Sequence, residues 1–156
     1  MFNVVLYTPQ IPQNTGNIIR LCANTGCSLH LIQPLGFVFD SAKMRRSGLD
    51  YHEFISVKIY ENWQDFQQQN ADSQGNIFAL TTHGSSSIAQ TQFSENCYLL
   101  FGSETSGLPP EIRDTLANDK RVRLPMMPNN RSLNLANTVS IVVFEAWRQH
   151  NFAGGS

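Results

Sequence analysis

The chain has 156 residues, of which 41% are hydrophobic and 15% charged, and a formal net charge of −1 at pH 7. That length and composition describe one globular domain spanning residues 1–156, long enough to bury a real core. The near-neutral balance excludes the uniformly basic class of nucleic-acid binders, so any polyanion must be held by local clusters and released by salt.

Short apolar runs alternate with helical patterns. Phe2–Tyr7 reads as a buried strand, and Thr15–Ala23 carries Ile18, Ile19, Leu21 and Cys22 on a helical period. Leu29–Ile32 is a second strand, Asn62–Gln69 an exposed helix, and Ile77–Leu80 and Tyr98–Phe101 are compact strands that run into polar turns. Pro109–Leu116 opens on prolines suited to a first helical turn. Val122–Leu124 is a last strand and Asn134–His150 a long terminal helix. Alternation at this spacing predicts an α/β fold: a single domain with a mainly parallel sheet and helices on both faces. The tail 152–156, ending Gly154-Gly155-Ser156, is expected to be disordered. In the terminal helix Val139, Ile141, Val142, Val143, Phe144, Ala146 and Trp147 cover more than one face, so both sides should be buried. In a chain this small the second side is expected to meet another subunit.

Cys22, Cys27 and Cys97 are odd in number and lack a metal-binding spacing, which fits a reducing compartment better than a disulfide framework. His30, His52, His83 and His150 are scattered, so no metal is expected. The N-terminus has no basic segment followed by an apolar one, and no run reaches the length of a membrane span. A soluble, cytoplasmic protein with no membrane partner is expected.

In open α/β sheets ligands bind beyond the carboxyl ends of strands. Four such ends carry small and polar residues: Pro12–Asn17 leading into a helix with Arg20, Gly102–Leu108, Pro125–Ser132 and, more weakly, Thr81–Gly84. In Gly102–Leu108 two glycines are separated by four residues, yet Leu108 follows where a phosphate-binding loop needs lysine. No G-x-G-x-x-G follows the first strand, so the dinucleotide fingerprint is absent too. Glycines without phosphate chemistry point to a neutral or zwitterionic small molecule held by main-chain groups.

Asn14-Thr15-Gly16-Asn17-Ile18-Ile19-Arg20, Phe101–Leu108, and Leu124-Pro125-Met126 followed by Ser132–Asn137 resemble, in order, the three motifs of the SPOUT superfamily of RNA methyltransferases. Leu21–Gly26, Arg45–Phe54 and Phe144–Gln149 bring the resemblance nearest to the bacterial branch that methylates the ribose 2'-hydroxyl of wobble nucleotide 34, a cytidine or modified uridine, in tRNA. The resemblance implies a deep C-terminal trefoil knot, S-adenosyl-L-methionine as methyl donor, and a homodimer through the C-terminal helix. It also implies the tRNA anticodon stem-loop, of leucine isoacceptors, as substrate. Two alternatives stay open: a relative acting on another tRNA or rRNA position, and a non-catalytic RNA-binding module on the same scaffold.

By the same resemblance, Leu80, Gly102, Gly107, Leu124, Met126, Ser132 and Leu133 form the cofactor site. Arg20, Glu104, Ser132 and Asn134 are the catalytic candidates. Arg20 is either a general base or, because a guanidinium normally keeps its proton, a clamp that positions the target by its phosphate. Glu104 would bond the cofactor, orient Arg20, or act as an anion near the start of the Pro109 helix. Ser132 and Asn134 would shape the pocket while capping the terminal helix. Asn14, Asn17, Arg20, Arg45, Arg46 and Arg131 are the candidate RNA contacts, within basic clusters that also include Lys43 and Lys120, Arg121 and Arg123. Tyr51, His52 and Phe54 are candidates for stacking on an unstacked base.

Overall fold

The computed structural model describes residues 1–46, 48–54 and 56–156. Ser47, within the Arg45–Phe54 segment, and the side chain of Tyr51 lie outside the described residues. The strands are β1 (Asn3–Tyr7), β2 (Ser28–Ile32), β3 (Val57–Tyr60), β4 (Ile77–Leu80), β5 (Ser86–Ser87), β6 (Tyr98–Phe101) and β7 (Arg121–Arg123). The helices are α1 (Pro12–Thr25), α2 (Ser41–Arg46), α3 (Trp63–Gln69), α4 (Pro110–Arg113) and α5 (Leu135–Gln149). The strands form one sheet in the order β3-β2-β1-β6-β4-β7-β5, every pairing parallel.

Both faces of this sheet are covered, as its apolar central strands require. Val4 and Leu6 of β1, Leu99 and Phe101 of β6, and Phe78 and Leu80 of β4 pack on one side with Ile18, Ile19 and Cys22 of α1 and Val139, Val142, Val143 and Ala146 of α5. The intervening residues Val5, Leu100, Tyr98 and Ala79 point the other way, against Phe66 of α3 and Ile112 of α4. Three elements escape the apolar periodicity. β3 is an edge strand with two of its four residues exposed, β5 is two residues long, and α2 buries no side chain.

The terminal helix divides differently from the expectation. Val142 and Val143 are fully buried in the chain's own core, because α5 lies directly on the sheet beside α1. Its outer side carries Ile141 and Phe144, each 46% exposed. The tail does not fray. It turns back on α5: the Trp147 Nε1–H donates to the Ala153 carbonyl at 3.0 Å, and the Phe152 ring meets Trp147 edge-on at 5.5 Å.

The three cysteines are free and buried, and burial raises each thiol, that of Cys97 to about 12, so none is poised as a nucleophile. Among the described residues no helix is long and apolar enough to cross a membrane.

His30 sits in the second core. Its Nδ1 lies 2.8 Å from the Tyr60 hydroxyl and its Nε2 3.1 Å from Asn3 Oδ1, while Tyr60 also accepts from Asn70 Nδ2 at 3.1 Å. Burial, reinforced by the charge of Lys58, lowers its pKa from 6.5 to about 4. Between those values the unfolded chain binds the proton that the folded one refuses, so stability rises with pH across that window. Lowering the pH from 6.5 to 4 should therefore remove up to roughly 3 kcal/mol attributable to this group. Urea unfolding as a function of pH checks this: His30→Gln should flatten the slope in that window.

Candidate active site

The sheet order reverses between β1 and β6. From β1 the chain steps outward through β2 and β3, whereas β4, β7 and β5 lie beyond β6. The carboxyl ends of β1 and β6 therefore open a crevice at a topological switch point, where open α/β sheets bind ligands. Three side chains close its floor. The Glu104 carboxylate, on the loop after β6, accepts the Gln10 N–H at 2.7 Å and the Ile11 N–H at 3.1 Å, both just before α1, and Asn14 Nδ2 at 3.4 Å. Asn14 Oδ1 in turn accepts Asn134 Nδ2 at 3.0 Å. Asn134 Oδ1 caps α5, accepting the N–H groups of Ala136 at 2.9 Å and Asn137 at 3.3 Å.

This network corrects two expectations. Pro12–Asn17 is not a loop: α1 already starts at Pro12, with proline in its first turn and no side-chain cap of its own. Its missing cap is Glu104, an anion at the positive end of α1 that comes from 90 residues away, which no local signal could announce. Within the chain Glu104 is thus turned to the start of α1, away from its own Arg20 and from the Pro110 helix.

Above this floor lies a cleft of about 450 Å³, lined among others by Ile11, Asn14, Leu80, Thr81, Gly102–Leu108, Ser132–Leu135 and Thr138. A smaller cavity of about 100 Å³ adjoins it, sharing Leu80, Thr81, Thr82, Ser132, Leu133 and Thr138 and adding Arg123, Leu124 and Met126. All seven residues expected at the cofactor site line these two spaces. The loop Gly102–Leu108 is folded tightly on itself: the Gly107 N–H donates to the Ser103 carbonyl at 3.0 Å, and Gly107 has φ +66°. A Cβ at Gly102 would come within 2.2 Å of the Gly107 carbonyl carbon, so only glycine permits this approach. Thr81 and Thr82, from the weaker of the four strand ends, line both spaces, and Arg123 of the basic cluster reaches the smaller one. Thr138 and Arg113 also line the cleft, and sequence reasoning missed them because each stands singly in a segment whose pattern is otherwise structural.

Arg20 lies elsewhere. Its guanidinium donates to the Gly48 carbonyl, and Nε sits 3.4 Å from the buried Glu53 carboxylate. Half of the side chain remains exposed, in a separate groove of about 850 Å³ with Asn17, Phe37, Asp40, Lys43 and Leu49. One chain therefore unites Glu104, Ser132 and Asn134 but not Arg20. Helical geometry explains the split: Gln13, Gly16, Asn17 and Arg20, spaced three, four and seven residues from the first, share the face of α1 that lines the groove, whereas Asn14, one residue after Gln13, turns to the cleft. Arg45, Arg46 and Arg131 are exposed, as RNA contacts must be. Of the other basic cluster, Lys120 stacks over the Phe78 ring at 4.0 Å and Arg121 pairs with Asp114 at 3.7 Å, leaving Arg123 at the cleft. His52 is exposed, but Phe54 packs edge-on against Phe39 at 6.1 Å in a structural role.

Hydroxyls, amides and main-chain groups dominate the cleft, with an apolar end at Leu80, Leu124, Met126 and Leu133. Such a donor set, with a glycine cradle, suits a nucleoside bearing a zwitterionic tail. Among the described residues no group of three or more His, Cys, Asp or Glu is placed to hold a metal.

The fold and cleft define a parallel α/β domain with a recess of ligand size at its switch point. The chain belongs to the SpoU rRNA methylase family, whose model matches residues 1–144. It is similar to the tRNA (cytidine(34)-2'-O)-methyltransferase of Burkholderia ambifaria, 55% identical over 156 residues and covering all of both chains. A protein solved in work on the 2-OH methylation of C/U34 on tRNA superposes with a TM-score of 0.86 at 40% identity, covering 97% of each chain. The AdoMet-bound rRNA methyltransferase of Sinorhizobium meliloti superposes with a TM-score of 0.78 at 27% identity, over 94% of this chain and 56% of that one.

Asn134→Ala removes both the α5 cap and the bond to Asn14, so it should cost about 1–2 kcal/mol in urea unfolding. Asn134→Ser, which keeps a capping oxygen, should recover part of that loss.

Proposed function

We propose that the protein is an S-adenosylmethionine-dependent methyltransferase that modifies the ribose 2'-hydroxyl of wobble nucleotide 34, cytidine or modified uridine, in the tRNA anticodon loop. The observation that carries this reading is that Leu80, Gly102, Gly107, Leu124, Met126, Ser132 and Leu133 line two adjoining spaces at the switch point. It is supported by full-length likeness to a relative named for that reaction. The cofactor supplies an electrophilic sulfonium methyl. Leu80, Leu124, Met126 and Leu133 exclude water from it, which favours a step that disperses positive charge. The Gly102–Leu108 backbone and Ser132 hold its nucleoside, and Asn134, fixed by Asn14, sets the wall against which the target ribose rests.

Arg20 is the proposed group for the target nucleotide. Glu53 and the Gly48 carbonyl hold its guanidinium from behind, so that it clamps a phosphate and orients the 2'-hydroxyl at little entropic cost. Because Arg20 and the cleft lie apart in one chain, the reading includes a homodimer in which each Arg20 serves the partner's cleft. Ile141 and Phe144 on the outer side of α5 are the contact surface that supports it. Leucine isoacceptors as the tRNA targets, a single domain, and a C-terminal trefoil knot belong to the same proposal.

Transfer of labelled methyl from S-adenosylmethionine to tRNA lacking the modification, with the nucleotide mapped, tests the reading. Label at the ribose of nucleotide 34 is expected, and label elsewhere would discard the wobble assignment. Arg20→Ala should abolish transfer with cofactor affinity by calorimetry nearly unchanged, whereas Gly102→Ala should weaken the cofactor itself. Phe144→Asp should weaken self-association in sedimentation while leaving the chain folded. Val142→Asp, inside the core, should unfold it.

A further inference from the structure

The groove beside Arg20 is built for more than a phosphate. It is about 850 Å³, within the roughly 300–1,000 Å³ typical of sites for small organic ligands. Its walls divide by chemistry: Arg20 and Lys43 are cationic, Asp40 is acidic with one oxygen engaged at the start of α2, Gln13 and Asn17 carry amides, and Phe37, Val38, Met44 and Leu49 are apolar. Val38 is 86% exposed, more than any other large apolar side chain among the described residues. The half-buried Phe37 beside it is not absorbed into either core.

The segment that carries these two residues is held at both ends. On one side the Gly36 N–H donates to the Pro9 carbonyl at 2.9 Å, and a Cβ at Gly36 would come within 2.6 Å of the Gln10 backbone. On the other, Asp40 Oδ1 accepts the N–H groups of Ala42 at 3.0 Å and Lys43 at 3.2 Å, starting α2. Phe37 and Val38 are thus presented on a short span between two anchors, and presenting them costs little further ordering.

We propose that this groove receives one unstacked nucleobase of single-stranded RNA, its face against Phe37 and Val38 and its phosphate beside Arg20. The inference rests on the reading that the substrate is tRNA, and it makes Phe37 a positioning residue for the target nucleotide. An aromatic face stacks on any base, whereas a cation lining the same groove fixes the backbone without reading sequence. Charge complementarity favours RNA over a second protein copy, because Arg45 and Arg46 continue the basic surface along α2 beyond Lys43. The uncharged apolar face that suits a second copy, at Ile141 and Phe144, is on α5 instead. Phe37 therefore takes the place of Phe54, whose ring is spent on Phe39.

The test uses a fluorescein-labelled anticodon stem-loop RNA, with nucleotide 34 intact or abasic, titrated by anisotropy against the full-length protein. Loss of the base should weaken binding to the unsubstituted protein about tenfold. Phe37→Ala should weaken binding of the intact RNA by a similar factor and become indifferent to the base, and Phe37→Trp should restore the difference. Cofactor affinity and sedimentation should not change in either variant. If Phe37→Ala weakens both RNAs equally, or shifts the sedimentation coefficient, the groove serves the fold or a second copy and the inference is wrong. RNA that is bound and methylated without any dependence on the base overturns this inference alone. An unsubstituted protein that binds and methylates no RNA overturns the tRNA reading along with it.

Discussion

The structure depends on one chain of polar contacts, from the Glu104 carboxylate through the Asn14 amide to the Asn134 amide. Each link joins segments that are remote in sequence: the loop after β6, the start of α1 and the start of α5. Glu104 supplies the anion that an uncapped α1 lacks, and Asn134 supplies the cap of α5, so the two helices that cover one face of the sheet are started by the same network. Asn14 is buried and uses both ends of its amide. An aspartate there would place a second carboxylate against Glu104 in a poorly solvated site. The same contacts hold the cleft open. Glu104 ties the Gly102–Leu108 loop, and Asn134 the start of α5, to the start of α1, so the two sides of the cleft are joined through Asn14.

The two recesses of the molecule answer different chemical needs. The switch-point cleft is lined largely by hydroxyls and main-chain groups around an apolar end, and the carboxylate on its wall, Glu104, is turned to α1. The groove beside Arg20 has cations on one wall and exposed aliphatic and aromatic surface on another. A cofactor with a zwitterionic tail suits the first and a nucleotide the second. α1 runs between them, presenting Asn14 to one and Asn17 and Arg20 to the other, so a single helical motif serves both.

On the opposite face of the sheet, the His30–Tyr60–Asn70 contacts tie β2, β3 and the end of α3 together away from either recess. There the buried imidazole is neutral and fully engaged, and it has the character of a structural element rather than a catalytic one.

Much of this was legible in the sequence. The apolar runs of β1, β4 and β6 needed two covered faces, which dictates a parallel sheet flanked by helices. The glycine, serine and asparagine turns at the strand ends marked the cleft lining, because those residue types let backbone approach a ligand. What the sequence left open was set by distance and direction. Pro12–Asn17 looks like a turn until Glu104, far along the chain, caps it into a helix. The apolar residues of α5 look alike until the sheet takes Val142 and Val143 and leaves Ile141 and Phe144 outside. The tail looks free until Trp147 gathers it. Arg20 reads as a neighbour of Ser132 and Asn134 because one motif set contains them all, yet helical phase turns it into a different recess. Residue chemistry and period determined the elements and the kind of ligand. Long-range hydrogen bonds and helix rotation, which no local window contains, decided which side chains meet.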